Sequence, residues 1–280
     1  MRVSLRQVLA PVIDFVFPPR CPGCGDAVLA DPHGDDALCA TCFARLELPG
    51  EPSCATCQRP FGADHFAAEA RCARCLAEPP QHDGIVAATI YGDVSRQMAL
   101  DLKHAGRIAL AGPMGRRIAA RIGDCAGPDP LVVPVPLHSW RIWRRGYNQS
   151  AMIARSIARD RGWSLLPDAL IRNRATRSLG GLNPDQRRAE LRGAIAVSRR
   201  ALPRIGGRDV LLVDDVLTSG ATSDTCVRAL KHAGAARVVI ACYARVIAGD
   251  PVAPLSQDEG SPDPPGNAKR PEPVGSGRPA

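Results

Sequence analysis

From Gly84 onward the chain alternates short apolar runs of strand type with segments of helical periodicity. The pattern predicts strands over Gly84 to Tyr91, Leu131 to Pro136, Asp209 to Val213 and Arg237 to Ala244. Between them it predicts helices over Ser95 to His104, Leu110 to Ile122, Gln149 to Arg161 and Ser223 to Ala233. Val210 to Val213 is apolar at every position, as in a strand buried on both faces. Strand and helix in alternation imply an α/β fold with a mainly parallel sheet flanked by helices, and such sheets bind ligands at the carboxyl ends of their strands. The segment before Gly84 lacks this rhythm. Residues 1–19 read as a short amphipathic helix ended by Pro18 and Pro19, packed on its own protein or touching a membrane surface. Residues 20–80 form a cysteine-rich module, 83–247 the α/β domain, and 248–280, with eight prolines and five glycines, a disordered tail.

Composition narrows the class. A chain of 280 residues that is 45% hydrophobic and 23% charged can bury a core and is neither a small stapled scaffold nor wholly disordered, and with 4% aromatics that core must be aliphatic. The net charge of +8 is concentrated: residues 131–209 hold 16 basic against 5 acidic side chains, an excess of +11 that suits a phosphate-rich partner. The absence of an 18-residue apolar run argues against a membrane span. Arg2, Arg6 and Asp14 interrupt the apolar start, which argues against a secretory signal and for the cytoplasm.

Eight of the eleven cysteines form Cys-x2-Cys pairs: Cys21/Cys24, Cys39/Cys42, Cys54/Cys57 and Cys72/Cys75. Fourteen residues separate Cys24 from Cys39, and again Cys57 from Cys72, so the unit repeats every 33 residues. Each pair turns two thiolates toward one point, and two pairs complete the tetrahedral shell that zinc accepts. Two structural four-cysteine zinc sites follow, forming a double zinc ribbon. The repeat favours pairing in sequence order over an interleaved arrangement. His33, His65 and His82 find no vacancy in such shells, and Cys125, Cys226 and Cys242 read as small buried residues.

The chemistry of the α/β domain gathers after its Asp209 to Val213 strand, where Asp214 and Asp215 precede Val216, Leu217 and the small hydroxyl-rich run Thr218, Ser219, Gly220, Ala221 and Thr222. Such a run can turn tightly and aim backbone N–H groups, with a helix N-terminus beneath, at a phosphate. Paired acids ahead of a phosphate cradle suit a ribose phosphate, whose hydroxyls or Mg²⁺ the carboxylates can reach.

This run resembles the signature of type I phosphoribosyltransferases, which implies their fold and a site for 5-phosphoribosyl pyrophosphate (PRPP) with Mg²⁺. The resemblance assigns Asp214 and Asp215 to catalysis and ribose binding, and Thr218 to Thr222 to the phosphate. With the cysteine pairs, the segment Val133 to Gln149, Phe17 to Cys24 and Leu102-Lys103-His104, the chain is similar to the ComF family of competence-associated proteins. That resemblance makes Val135 to Arg145 a basic loop meeting pyrophosphate through Leu137, His138, Arg144 and Arg145. It also implies a cytoplasmic protein of DNA uptake or processing. The arginine-rich stretch Arg172 to Arg192 departs from the family pattern, with Leu179, Glu190 and Ile195 where glutamine, asparagine and phenylalanine are usual. Two functions follow: a Mg²⁺-dependent phosphoribosyltransferase, or a non-catalytic component that binds single-stranded DNA alongside other uptake proteins.

Overall fold

The apolar runs assemble, in a computed structural model that describes residues 20–28, 38–61, 70–173 and 193–247, into a parallel sheet. The helix expected over 1–19, the tail from 248, His33, His65 and residues 174–192 lie outside the described residues. The strands are β1 (Gly84–Ile90), β2 (Leu131–Pro134), β3 (Leu170–Arg172), β4 (Ile195–Val197), β5 (Asp209–Leu217) and β6 (Arg237–Arg245). The helices are α1 (Ala40–Ala44), α2 (Ala73–Ala77), α3 (Asp93–His104), α4 (Ala111–Ile122), α5 (Ser139–Arg145), α6 (Gln149–Arg161), α7 (Leu202–Ile205) and α8 (Ala221–His232).

The sheet runs β1-β6-β5-β2, every pair parallel, with Leu212 opposite both Val133 and Ile240. Beyond β2 the chain at Ser164 to Leu166 exchanges two backbone hydrogen bonds with Val132, both 2.9 Å. Side chains alternate across the strands and divide the core in two. Val86, Leu211, Val213, Val239 and Tyr243 pack under α3, α4 and α6. Ile85, Val210, Leu212, Ile240 and Cys242 pack under α8 and the small antiparallel pair β3–β4. With both faces covered, the central strands carry no polar stripe. The helix layer closes tightly at Gly115, where an added Cβ would lie 2.5 Å from Ser156 Cβ.

Three expectations change. The stretch expected as a basic loop contains α5, because Ser139 to Arg145 holds neither Gly nor Pro; Gly146, at φ 84, ends it. The strand expected to end at Val213 continues to Leu217, since Val216 and Leu217 go on pairing with Ala244 and Arg245 of β6. Cys125 is exposed, because it follows the end of α4, and its Sγ donates to Ile122 O at 2.7 Å; Cys226 and Cys242 are buried. Among the described residues no helix is long and apolar enough to cross a membrane.

Candidate functional site

The cysteine module forms two four-sulfur clusters, Cys21/Cys24/Cys39/Cys42 and Cys54/Cys57/Cys72/Cys75, each with all ligand atoms within 4.8 Å of one another. The pairing therefore follows sequence order. Cys24 Sγ lies 3.7 Å from Cys39 Sγ, and Cys57 Sγ 3.7 Å from Cys72 Sγ. Four thiolates around one zinc sit about 3.8 Å apart, so the observed spacing fits the ion. Corresponding positions repeat in their hydrogen bonds: Cys21 Sγ accepts from Cys39 N and Cys54 Sγ from Cys72 N, each at 3.3 Å. At both thiols burial opposes ionisation, but backbone donors outweigh it and draw Cys21 and Cys54 down to about 6. All four ligands in each cluster come from the protein, which leaves no open coordination position and makes the sites structural.

The second centre lies at the carboxyl end of β5. Because successive strand residues point to opposite faces, Asp214 and Asp215 diverge. Asp215 shares the face of Val213 and is 7% exposed, with Lys103 Nζ from the end of α3 at 3.0 Å from Oδ2. Asp214 shares the face of Leu212, remains half-buried, and accepts from Ser150 Oγ at 3.0 Å and from the Asp215 N–H at 2.9 Å. Burial, followed by the charge of Asp215, pushes Asp214 up to about 7. Burial also opposes charge on Asp215, but Lys103 outweighs it and holds that carboxyl below the usual range.

Past Leu217 the chain turns through Thr218, Ser219 and Gly220 into α8. Gly220 adopts φ 80, a left-handed conformation that glycine enters without strain, and α8 then starts with no side chain capping its N-terminus. The first-turn N–H groups thus lack intrahelical partners and carry the positive end of the helix dipole, to which Asp224 already lends one carboxylate. Thr218 is exposed, and Ser219, Gly220, Ala221 and Thr222 are half-buried. Thr218 to Ala221 line a cleft of about 710 Å³ that Cys57, Cys72 and Cys75 of the second cysteine cluster, Arg74, Arg228 and Arg245 also line, and that Asp214 and Asp215 do not. The turn therefore faces open space. The carboxylate oxygens of the acid pair are donors of the type Mg²⁺ takes, and Asp214 is the more accessible of the two.

The pyrophosphate-binding set is less convergent. Val135 N donates to Val213 O at 2.9 Å, so the segment leaves the sheet beside the acids. Leu137 and His138 are half-buried there, whereas Arg144 is exposed and Arg145 half-buried on α5. Asn148 performs structural work: its amide donates to Val135 O at 3.0 Å and its carbonyl caps α6 through Ala151 N. Two contributors lay outside the sequence reading of the site. Ser150 is a polar side chain in the first turn of a helix. Lys103 follows Ala99 by four residues, on the buried face that Ser95 and Ala99 define, where a lysine needs an acid.

Two family descriptions match this chain: "Double zinc ribbon domain" over residues 12–76 and "Phosphoribosyl transferase domain" over 171–253. The DNA utilization protein YhgH of Escherichia coli is 30% identical over 220 residues, 76% of this chain and 92% of the relative. Its Salmonella typhi counterpart is 31% identical over 75% and 91% of the two chains. Competence protein F of Haemophilus influenzae is 26% identical over 74% and 96%. A crystal structure from Thermus thermophilus overlaps 51% of this chain and 86% of its own at a TM-score of 0.32 and 17% identity. Two cysteine clusters in sequence order, a phosphoribosyl transferase domain behind them and this kinship along most of the chain lead to one conclusion: the protein belongs to the ComF family, in the company of YhgH and Competence protein F.

Proposed function

We propose that this protein binds PRPP with Mg²⁺ at the carboxyl end of β5 and serves DNA uptake or processing in the cytoplasm, together with other uptake proteins. One observation carries the ligand assignment: a half-buried carboxylate, Asp214, stands six residues before Gly220, the start of an uncapped helix N-terminus whose leading turn borders an open cleft. The amides from Thr218 to Thr222 take the 5-phosphate, and the acid side takes the ribose hydroxyls and the cation. Mg²⁺, when bound, neutralises charge on the diphosphate. The reaction open to such a site is displacement at the anomeric carbon: a nitrogen nucleophile forms the new C–N bond, the C–O bond to the diphosphate breaks, and pyrophosphate departs. Asp214 and Asp215 face the positive charge that grows on the ring. The process role rests on kinship with proteins named for DNA utilization and competence.

Calorimetry tests the ligand. Titration of the zinc-loaded protein with PRPP in Mg²⁺ should give saturable binding, and Asp214→Asn should weaken it by about tenfold or more, the scale of one interaction with a charged group. Binding unchanged in Asp214→Asn removes the assignment.

The second reading, a non-catalytic protein that binds single-stranded DNA, has its own support in α5. Trp143 is 85% exposed there, next to exposed Arg144 and within the stretch of +11 excess charge. An exposed indole among arginines offers a base-stacking platform beside phosphate contacts. Affinity for an oligothymidine should fall steeply as salt rises, and Trp143→Ala should cost roughly 1–3 kcal/mol. Affinity indifferent to salt would exclude this mode.

A further inference from the structure

Lys103 is the cation that ion-pairs with Asp215 of the site, among the described residues, and it reaches that acid from outside both segments the ligand reading uses. Its side chain is 20% exposed, that of Asp215 is 10% exposed, and the two meet at 3.0 Å. The field of Asp214 also acts on the ammonium, favouring its charge after Asp215 does. The end of α3 that bears Lys103 is anchored to the basic segment, because Tyr147 Oη donates to the carbonyl of Leu102. On the far side of Leu102, Asp101 accepts from Arg107 at 2.7 Å and from Gln97 at 2.8 Å. Lys103 thus stands on a fixed helix end, between the acid of β5 and the segment that follows β2.

A ligand carrying a diphosphate meets two adjacent carboxylates at this strand end, and like charges in a partly buried site repel strongly. A cation already stationed at the acids lowers that cost. Once Asp215 is offered to a ribose hydroxyl or to the ligand's cation, the ammonium needs a new anion, and the diphosphate supplies oxygens. A lysine is suited to such an exchange, because its three donors sit on a flexible four-carbon stem and act as a point charge. We propose that Lys103 is a diphosphate-binding residue which Asp215 holds in the empty site and releases to the ligand. This rests on the PRPP reading of the site and adds to it the residue that selects a diphosphate over a simple sugar phosphate.

The experiment compares two probes on the same zinc-loaded protein in Mg²⁺: PRPP, and ribose 5-phosphate, which lacks the diphosphate. Calorimetric affinities are measured for the wild type, Lys103→Met, Lys103→Gln and Lys103→Arg, with thermal melting as a check of folding. Lys103→Met should lose PRPP affinity by roughly tenfold or more while changing ribose 5-phosphate affinity by less than about twofold. Lys103→Arg, which keeps the charge, should retain most of the PRPP affinity. Should Lys103→Met not fold, Lys103→Gln carries the comparison, since its amide still donates to Asp215 without a charge. Equal losses for both probes, or no loss for either, in the folded variant make Lys103 a purely structural partner of Asp215 and overturn the proposal. A wild type that binds neither probe overturns the PRPP reading itself, a different outcome from any of these.

Discussion

His82, at the foot of β1, is 8% exposed, and its Nδ1 has no hydrogen-bond partner among the described residues. Burial first, and then the charge of Arg245, depress its pKa to about 4. The ring is therefore neutral in the folded protein down to acidity at which the unfolded chain is already protonated. With the folded value below the unfolded one, the unfolded state binds more protons between about 6.5 and 4, so stability is intact above that window and lost as pH falls through it. Between pH 6.5 and 5 the loss amounts to roughly 2 kcal/mol. Denaturant unfolding at several pH values should find His82→Leu less sensitive to acid over this interval than the wild type. Parallel stability profiles would show that His82 does not titrate in this way. The same logic of partners explains the acid pair. Asp215 stays charged because Lys103 is beside it, whereas burial and the neighbouring charge of Asp215 outweigh Lys103, the Asp215 N–H and Ser150 at Asp214, which does not hold its charge as firmly.

At the scale of elements, legibility followed pattern strength. The strands of the main sheet were readable because burial on both faces demands unbroken apolar runs, and α6 because its periodicity spans Gln149 to Arg161 without interruption. The cysteine repeat gave the two metal clusters because ligand spacing is a property of sequence alone. Elements were missed where the deciding interaction is remote. β3 and β4 are three residues each and pair across more than twenty positions, so neither carries a local signal. β5 reads as ending at Val213 because two carboxylates break the apolar run, yet the backbone continues to pair with β6 regardless of what those side chains carry. Helix α5 was hidden by its charge: three arginines and two tryptophans read as a loop lining a ligand, while the backbone had no reason to leave the helix before Gly146. The acid-and-turn run of the candidate site stood in one continuous segment and was visible. Lys103 and Ser150 reach it from helices 112 and 64 residues away from their partners in the chain, and contact over such separations exists only after folding.

For the whole molecule, the zinc ribbons are not an appendage. Strand β1 is the edge of the main sheet, and the ribbon segment covers it: Gln58 Oε1 accepts from Ala87 N at 3.3 Å, and the Glu47 carbonyl from Ile90 N at 2.7 Å. Cys21, Cys42 and Leu46 share an apolar cluster with Tyr91 and Val94, while Cys54, Cys57, Cys72 and Cys75 share the other with Ile85 and Ala87. The two ribbons therefore grip the sheet edge from both faces. Arg117 over the Phe43 ring at 5.1 Å and Arg121 bonded to Pro49 O at 3.1 Å tie the same module to α4. Residues 20–80 hold few large apolar side chains, so metal binding is expected to supply most of their folding free energy. Removal of zinc should then unfold the ribbons, strip β1 of its cover and expose an open sheet edge that recruits other chains. Two hydrogen bonds lost from β1 N–H groups and the lost apolar contacts predict a fall of about 10 °C in the melting of the α/β domain, with concentration-dependent aggregation above it. Circular dichroism melts before and after chelation, repeated with Cys72→Ser to disable the second site alone, measure this directly. A sheet that melts at the same temperature with and without metal would mean that the ribbons fold as an independent module and that β1 is stable uncovered.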